Sequence, residues 1–189
     1  RCTVLCSVPT VYIRLIREMR EGKAGREDLC LRLCVTAGAP CPEHTLRDMK
    51  RVMGAEAAVV MYGMTEAGPG ISSTSMDDSL ETAVSTVGRL WPGVTGRMQD
   101  LTTGRVLGPG RAGELCIKSY GVMKGYYNNP EETEKAVDRE GWLHTGDIAS
   151  LSEDGLLTLK GRCKDLIIRG GENISPREIE DFIRNYEPV

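Results

Sequence analysis

The sequence predicts an α/β protein in three segments: a parallel sheet covered by helices over residues 1–86, a small antiparallel or barrel-like β unit over 87–161, and the start of a further segment over 162–189. Three observations carry this. Over the first 66 residues the apolar spacing runs helix, strand, helix, strand, the order of a parallel sheet with covering helices. After about residue 86, glycine and proline become frequent and the strands shorten. From Gly161 onward a strand, a glycine pair and a strong helix start follow one another.

Thr10 can cap a first helix, whose Tyr12, Leu15, Ile16 and Met19 fall at helical spacing and which Gly22 ends. Leu31, Leu33 and Val35 alternate as a strand that enters the turn Ala37-Gly38-Ala39-Pro40. A second helix carries Leu46, Met49, Val52 and Met53 and stops at Gly54. Ala57–Met61 is an apolar run, short enough for a buried strand, and it opens into Tyr62-Gly63-Met64-Thr65-Glu66. Both turns then lie at carboxyl ends of strands, where open parallel sheets bind ligands. In the second segment, Arg97–Leu101 and Glu114–Lys118 alternate, separated by glycine turns. Leu157 and Leu159 mark another strand, and Ile148–Leu151 one more after a turn at Asp147. In the third, Leu166–Arg169 is a strand, and Ser175, Pro176 and Glu178 form a helix start with a capping box.

A chain of 189 residues suffices for one domain with a core, or for one domain and part of another. Its 24 basic and 27 acidic side chains leave a net charge of −3, which argues against a nucleic-acid or anionic-membrane binder. With 40% hydrophobic and 27% charged residues the composition is globular. No apolar run approaches the roughly 18 residues of a transmembrane segment. Aromatics are only 5% against 22 glycines, which suits tight loops around a ligand better than a stacking platform for bases. The seven cysteines are odd in number, irregularly spaced and without a CxxC pair. That argues for small buried thiols in a reducing intracellular compartment rather than for disulfides. Zinc is disfavoured because His44 and His144 stand at no metal spacing from a cysteine. A P-loop NTPase is disfavoured because GxxxxGK[ST] is absent.

Four clusters carry candidate chemistry, each with an ordinary structural reading beside it. Small residues at Gly38, Ala39 and Pro40 let backbone approach a flat ligand, or simply turn the chain. Tyr62 and Gly63 can present a ring to a planar base, Thr65 a hydroxyl to a phosphate, and Glu66 a hard oxygen to Mg²⁺; the same residues would also serve as a helix start. Asp147, in His144-Thr145-Gly146-Asp147, can accept from a ribose diol or sit in a tight turn. Arg162 and Lys164 share a side of an extended segment, and Gly170-Gly171 permits close passage of a thin ligand; the alternative is a solvated linker.

Taken in order, these clusters resemble the acyl-adenylate-forming (AMP-binding) superfamily, and within it acyl-CoA synthetases of medium-chain fatty acyl-CoA ligase type. Gly113-Glu114-Leu115, Gly125-Tyr126-Tyr127 and Pro130-Glu131-Glu132-Thr133 extend the match along essentially the whole chain. The resemblance implies the C-terminal part of the family's large domain, made of its parallel-sheet portion and a β-barrel-like subdomain, followed by the start of a small α+β lid. It also implies ATP and Mg²⁺, with CoA and a carboxylic acid as further substrates. Gly38, Ala39, Pro40, Tyr62 and Gly63 would hold adenine, Thr65 the α-phosphate, and Glu66 the metal. Asp147 and Arg162 would hold the ribose, Lys164 would be the hinge, and Gly170, Gly171 and Glu172 would line the CoA passage. Lys164 stands where many relatives carry Asp. Val35–Gly38 and Met61–Gly68 would border the acyl pocket.

Both ends of the sequence read as internal to a longer protein. The family's phosphate loop is expected upstream and its catalytic lysine beyond Val189, so the 189 residues alone are expected to be inactive. The competing readings are a catalytically incomplete nucleotide-binding fragment and an adenylation domain that does not use CoA. The implied compartment is the mitochondrial matrix or cytoplasm.

Overall fold

The computed structural model describes residues 2–68, 70–169, 172–174, 176, 179, 182 and 183. The chain forms two units, Arg1–Pro92 and Gly93–Val189. In the first, three short strands of small and β-branched residues set the sheet: β1 (Val4–Ser7), β2 (Leu33–Thr36) and β3 (Ala57–Tyr62). They run parallel in one register, with Cys6 beside Val35 and Val35 beside Val59. The crossovers carry α1 (Pro9–Arg20) and α2 (Glu43–Arg51). Two short antiparallel strands, β4 (Ser72–Ser73) and β5 (Arg89–Leu90), complete the order β1-β2-β3-β4-β5. β5 therefore joins the first sheet, although it lies past residue 86. Gly88 permits this pairing, because a Cβ there would come within 2.0 Å of the Ser73 carbonyl oxygen.

One face of this sheet lies under the helices. Tyr12 and Ile16 of α1, Leu46 and Met49 of α2, and Cys34, Ala58 and Val60 of the strands form its core with Met53 and Ala83. The Tyr12 hydroxyl sits 2.6 Å from the Leu5 carbonyl and 2.9 Å from that of Val35, tying α1 to the neighbouring strands β1 and β2, and burial pushes its pKa up. Arg20 reaches the buried Asp48 at 2.8 Å, tying the end of α1 to α2.

Three local expectations are corrected. Pro9, not Thr10, begins α1, and Val8 before it makes no side-chain cap; the fixed φ of proline already suits a first helical position. In β2 the more buried set is Cys34 and Thr36 rather than Leu33 and Val35, because Cys34 lies on the face covered by the helices whereas Val35 faces an open cavity. The helix α3 (Leu80–Ser85), capped by Ser79 through the Thr82 N–H, was not expected from the sequence.

In the second unit, β6 (Thr95–Gln99), β7 (Val106–Leu107), β8 (Gly113–Lys118), β9 (Leu143–Leu151) and β10 (Leu157–Arg162) form an antiparallel sheet in the order β10-β9-β8-β6-β7. Of the two forms expected here, antiparallel sheet or barrel, the structure is the open sheet: among the described residues β10 and β7 are its edges and no pairing closes them. Its buried side chains include Met98, Leu115, Ile117, Leu143, Ala149 and Leu157. The helix α4 (Pro130–Ala136) starts on the Asn129 side chain, which accepts from the Glu132 N–H. β11 (Ile167–Arg169) and β12 (Glu172–Ile174) pair as a separate antiparallel ribbon. The helix expected from Ser175 falls for the most part outside the described residues. No helix among those described is long and apolar enough to cross a membrane.

Leu46 is fully buried at the centre of the helix-covered face. Leu46→Ala is expected to cost about 2–5 kcal/mol in urea unfolding, while Val106→Ala, at an exposed edge position, should stay within about 0.5 kcal/mol of the unsubstituted chain.

Candidate functional site

Parallel strands bring their carboxyl ends to one edge, and two of the sequence clusters sit there. β2 ends at Thr36 and continues into Gly38, Ala39 and Pro40, all exposed. Its neighbour β3 ends at Tyr62 and continues through Gly63 into a 3₁₀ turn, Thr65–Ala67. Thr65 is exposed on that turn, Glu66 is half-buried, and Ala67 anchors the turn in the core. Tyr62 keeps 9% of its surface, so its ring is mostly packed into the unit. Its carbonyl accepts from the Ile71 N–H at 2.9 Å, which folds the chain back into β4.

The face of this sheet opposite the helices is hollow. Cys6, Val35 and Val59 form one row across the three strands. Together with Gly38, Met61, Ser73 and Trp91 they line an open cavity of about 620 Å³, almost wholly apolar. The Trp91 indole is held in place by donating to the Ser73 hydroxyl at 2.9 Å. The expected acyl-pocket segments, Val35–Gly38 and Met61–Gly68, thus contribute Val35, Gly38 and Met61 to one apolar space.

In the second unit, Asp147 and Arg162 are direct cross-strand partners, and the Arg162 Nε lies 3.1 Å from the Asp147 carboxylate. Asp147 is buried and Arg162 is exposed. Asp147 does not sit in a turn before a strand beginning at Ile148: β9 already begins at Leu143 and runs through it. A glycine inside a strand often marks a bulge rather than an end. Here Gly146 takes φ +69 opposite a shift in register between Glu114 and Cys116.

Glu114 holds that bulge from β8. One carboxylate oxygen accepts from the Gly146 N–H at 3.2 Å and the other meets His144 Nδ1 at 2.9 Å. The buried Thr145 hydroxyl donates to the Leu115 carbonyl at 2.7 Å, on the other side of Gly146. Glu114 was visible in the sequence only as part of Gly113-Glu114-Leu115, and its clamping role follows from pairing across strands. Burial, reinforced by the Glu114 charge, pushes the adjacent Cys116 thiol up to about 12.

Lys164 is exposed in a 3₁₀ turn, Cys163–Asp165, immediately after β10. Glu172 begins β12. Gly170 and Gly171 lie outside the described residues. The structure therefore brings together Gly38, Ala39, Pro40, Tyr62, Gly63, Thr65 and Glu66 along one sheet edge of the first unit, and joins Asp147 to Arg162 in the second.

The profile of the AMP-binding enzyme family matches residues 1–127, and the chain belongs to that family. It is 42% identical over 190 residues to YngI of Bacillus subtilis (strain 168), provisionally named an acyl-CoA synthetase, spanning all of this chain and 34% of that protein. It is 36% identical over 189 residues to the human mitochondrial medium-chain acyl-CoA ligase ACSF2, covering 100% of this chain and 30% of the relative. Among solved structures it superposes on ATP-bound MatB from Rhodopseudomonas palustris with a TM-score of 0.86 at 36% identity, over 100% of this chain and 36% of that one. The chain thus spans about a third of the length of these relatives.

Gly146 has no neighbour within 4 Å of an added Cβ, so its replacement acts through backbone conformation alone. Gly146→Ala is expected to cost about 1–2 kcal/mol in thermal unfolding, and Gly146→Asn less, since asparagine tolerates the left-handed region.

Proposed function

We propose that this chain is part of an enzyme that uses ATP to activate a carboxylic acid, of fatty type, for transfer to CoA. The observation that carries the reading is the placement of Gly38–Pro40 and Tyr62–Glu66 at the carboxyl ends of adjacent parallel strands whose open face is an apolar cavity. Family membership supports the same chemistry. In the first step a carboxylate oxygen attacks the α-phosphorus and pyrophosphate leaves, giving an acyl-adenylate. In the second the CoA thiolate attacks the acyl carbon, AMP leaves, and an acyl thioester forms. No protein nucleophile takes part, so positioning and charge stabilisation carry the rate.

In this reading Gly38, Ala39, Pro40, Tyr62 and Gly63 hold the adenine, and the exposed Thr65 hydroxyl donates to the α-phosphate. The half-buried Glu66 carboxylate is a hard oxygen donor suited to Mg²⁺, which shares its positions between few carboxylates and the phosphates. The metal would neutralise charge developing on the phosphates. Asp147 accepts from the ribose diol, and Arg162, already paired with it, supplies a forked donor to ribose or phosphate. Lys164 is the hinge, and Gly170, Gly171 and Glu172 line the CoA passage. The acyl chain occupies the cavity bordered by Val35 and Met61, and its apolar walls favour an aliphatic tail over a polar acid. A reducing compartment, cytoplasm or mitochondrial matrix, suits cysteines that form no disulfide among the described residues; the human relative is named as mitochondrial.

Glu66→Gln in the complete enzyme is expected to lower acid-dependent ATP–pyrophosphate exchange by about 10²–10³. Exchange at the unsubstituted rate would refute the metal assignment. Lys164→Pro is expected to spare one half-reaction and suppress the other, as measured by pyrophosphate exchange against thioester formation from added acyl-adenylate. Equal loss in both would remove Lys164 from the hinge.

A further inference from the structure

Antiparallel pairing in the second unit places three residues in one row: Arg97 on β6, Cys116 on β8 and His144 on β9 are successive cross-strand partners. Glu114 lies two residues before Cys116 on the same face of β8, and its carboxylate reaches His144 Nδ1 at 2.9 Å. Cys116 Sγ is 3.5 Å from the same nitrogen. Among the described residues these are three ligating side chains, two from β8 and one from β9, whose donor atoms lie within 4.8 Å of one another. The expectation against zinc rested on spacing along the chain, which does not register this tertiary pairing.

Two neighbours of the cluster bear on whether it could hold a metal ion. His144 Nε2, the nitrogen left free, faces Asp138 Oδ2 at 3.8 Å, where an outer carboxylate orients a ligating imidazole. Arg97, stacked 4.2 Å from the Trp142 ring centroid, carries a buried Nε with no acceptor among the described residues. Arg97 is the cross-strand partner of Cys116 on β6 and stands beside it in the ladder. With the thiol ionised, Glu114, Cys116, Asp138 and Glu140 carry four negative charges against two on Arg97 and Lys118, and a divalent ion offsets the excess of two. Cys116 is fully buried, whereas the side chains of His144 and Glu114 keep 25% and 19% of their surface, so the cluster is reached by solvent from the His144 and Glu114 side.

We propose that Glu114 Oε2, Cys116 Sγ and His144 Nδ1 bind a borderline-soft divalent cation of the Zn²⁺ class, separate from the Mg²⁺ assigned to Glu66. On binding, the metal–sulfur bond replaces the S–H bond of Cys116 and the proton passes to solvent. His144 coordinates as the neutral imidazole. Mixed sulfur, nitrogen and oxygen donors select Zn²⁺ or Co²⁺ over Mg²⁺ or Ca²⁺.

The test is a Co²⁺ titration of the chain, read by the thiolate-to-cobalt charge-transfer band, with Zn²⁺ as competitor. One equivalent of Co²⁺ is expected to saturate the band, and one equivalent of Zn²⁺ to bleach it. Cys116→Ala is expected to abolish the band. His144→Gln and Asp138→Asn, at partly exposed positions that should leave the fold intact by circular dichroism, should each weaken binding about tenfold or more. A variant with Cys2, Cys6 and Cys30 all changed to serine should keep the band, since those exposed thiols are the competing ligands. A band that survives Cys116→Ala, disappears with the exposed cysteines, or keeps its affinity in His144→Gln overturns the proposal. Absence of any band in the unsubstituted chain overturns it too and leaves Glu114–His144 as a hydrogen-bonded pair. If Cys116→Ala does not fold, the affinities of the other variants still decide.

Discussion

Register among three parallel strands is the constraint on which the first unit depends. Cys34, Ala58 and Val60 meet the helices, and the row Cys6, Val35 and Val59 faces the cavity. A slip of one residue in any strand would exchange these sets. The cavity would then receive the helix-packing side chains, and the helices would meet the cavity's. The same register fixes where the strands stop, and so brings Gly38 and Thr65 to neighbouring positions on one edge. Tyr12 reinforces it by placing one hydroxyl between carbonyls of β1 and β2.

The second unit solves a different problem. Antiparallel strands present side chains on alternating faces, yet Asp147 must pair with Arg162 while His144, three residues earlier, turns toward β8. The bulge at Gly146 makes both possible by adding residues to β9 without breaking its pairing to either neighbour. Its backbone N–H would otherwise lose a ladder partner, and Glu114 supplies one. A charged acceptor of that kind is worth more than a neutral one, about 1.5–3 kcal/mol. The carboxylate is therefore structural for the bulge whether or not an ion shares it.

Much of this was legible in the chain and some was not, for physical reasons. The helices at α1 and α2 follow from Tyr12, Ile16, Leu46 and Met49 at helical spacing, and β3 from an unbroken apolar run between glycines. The start of α1 was misplaced because proline and threonine stand side by side and only one can lead. α3 is six residues long, too short for periodicity to register, and its Ser79 cap was the one available signal. Of the candidate site, the strand-end clusters were readable because turns after buried strands stand out in composition. The pairing of Cys116 with His144, 28 residues apart, and of Glu114 with His144, 30 apart, was not. It depends on which strands neighbour each other and on a bulge whose glycine reads as a loop.

The two tryptophans are distributed one to each unit, and their settings differ. The Trp91 indole stands in the wall of the cavity, hydrogen-bonded to Ser73, where an aliphatic guest would displace water from its ring. Trp142 lies beneath the Arg97 guanidinium, with the Lys118 ammonium 5.6 Å from its centroid, where a change in local field would be felt first. The chain thus carries two built-in optical reporters, one sensitive to hydration and the other to charge, and single Trp→Phe replacements would let each unit be followed in the presence of the other.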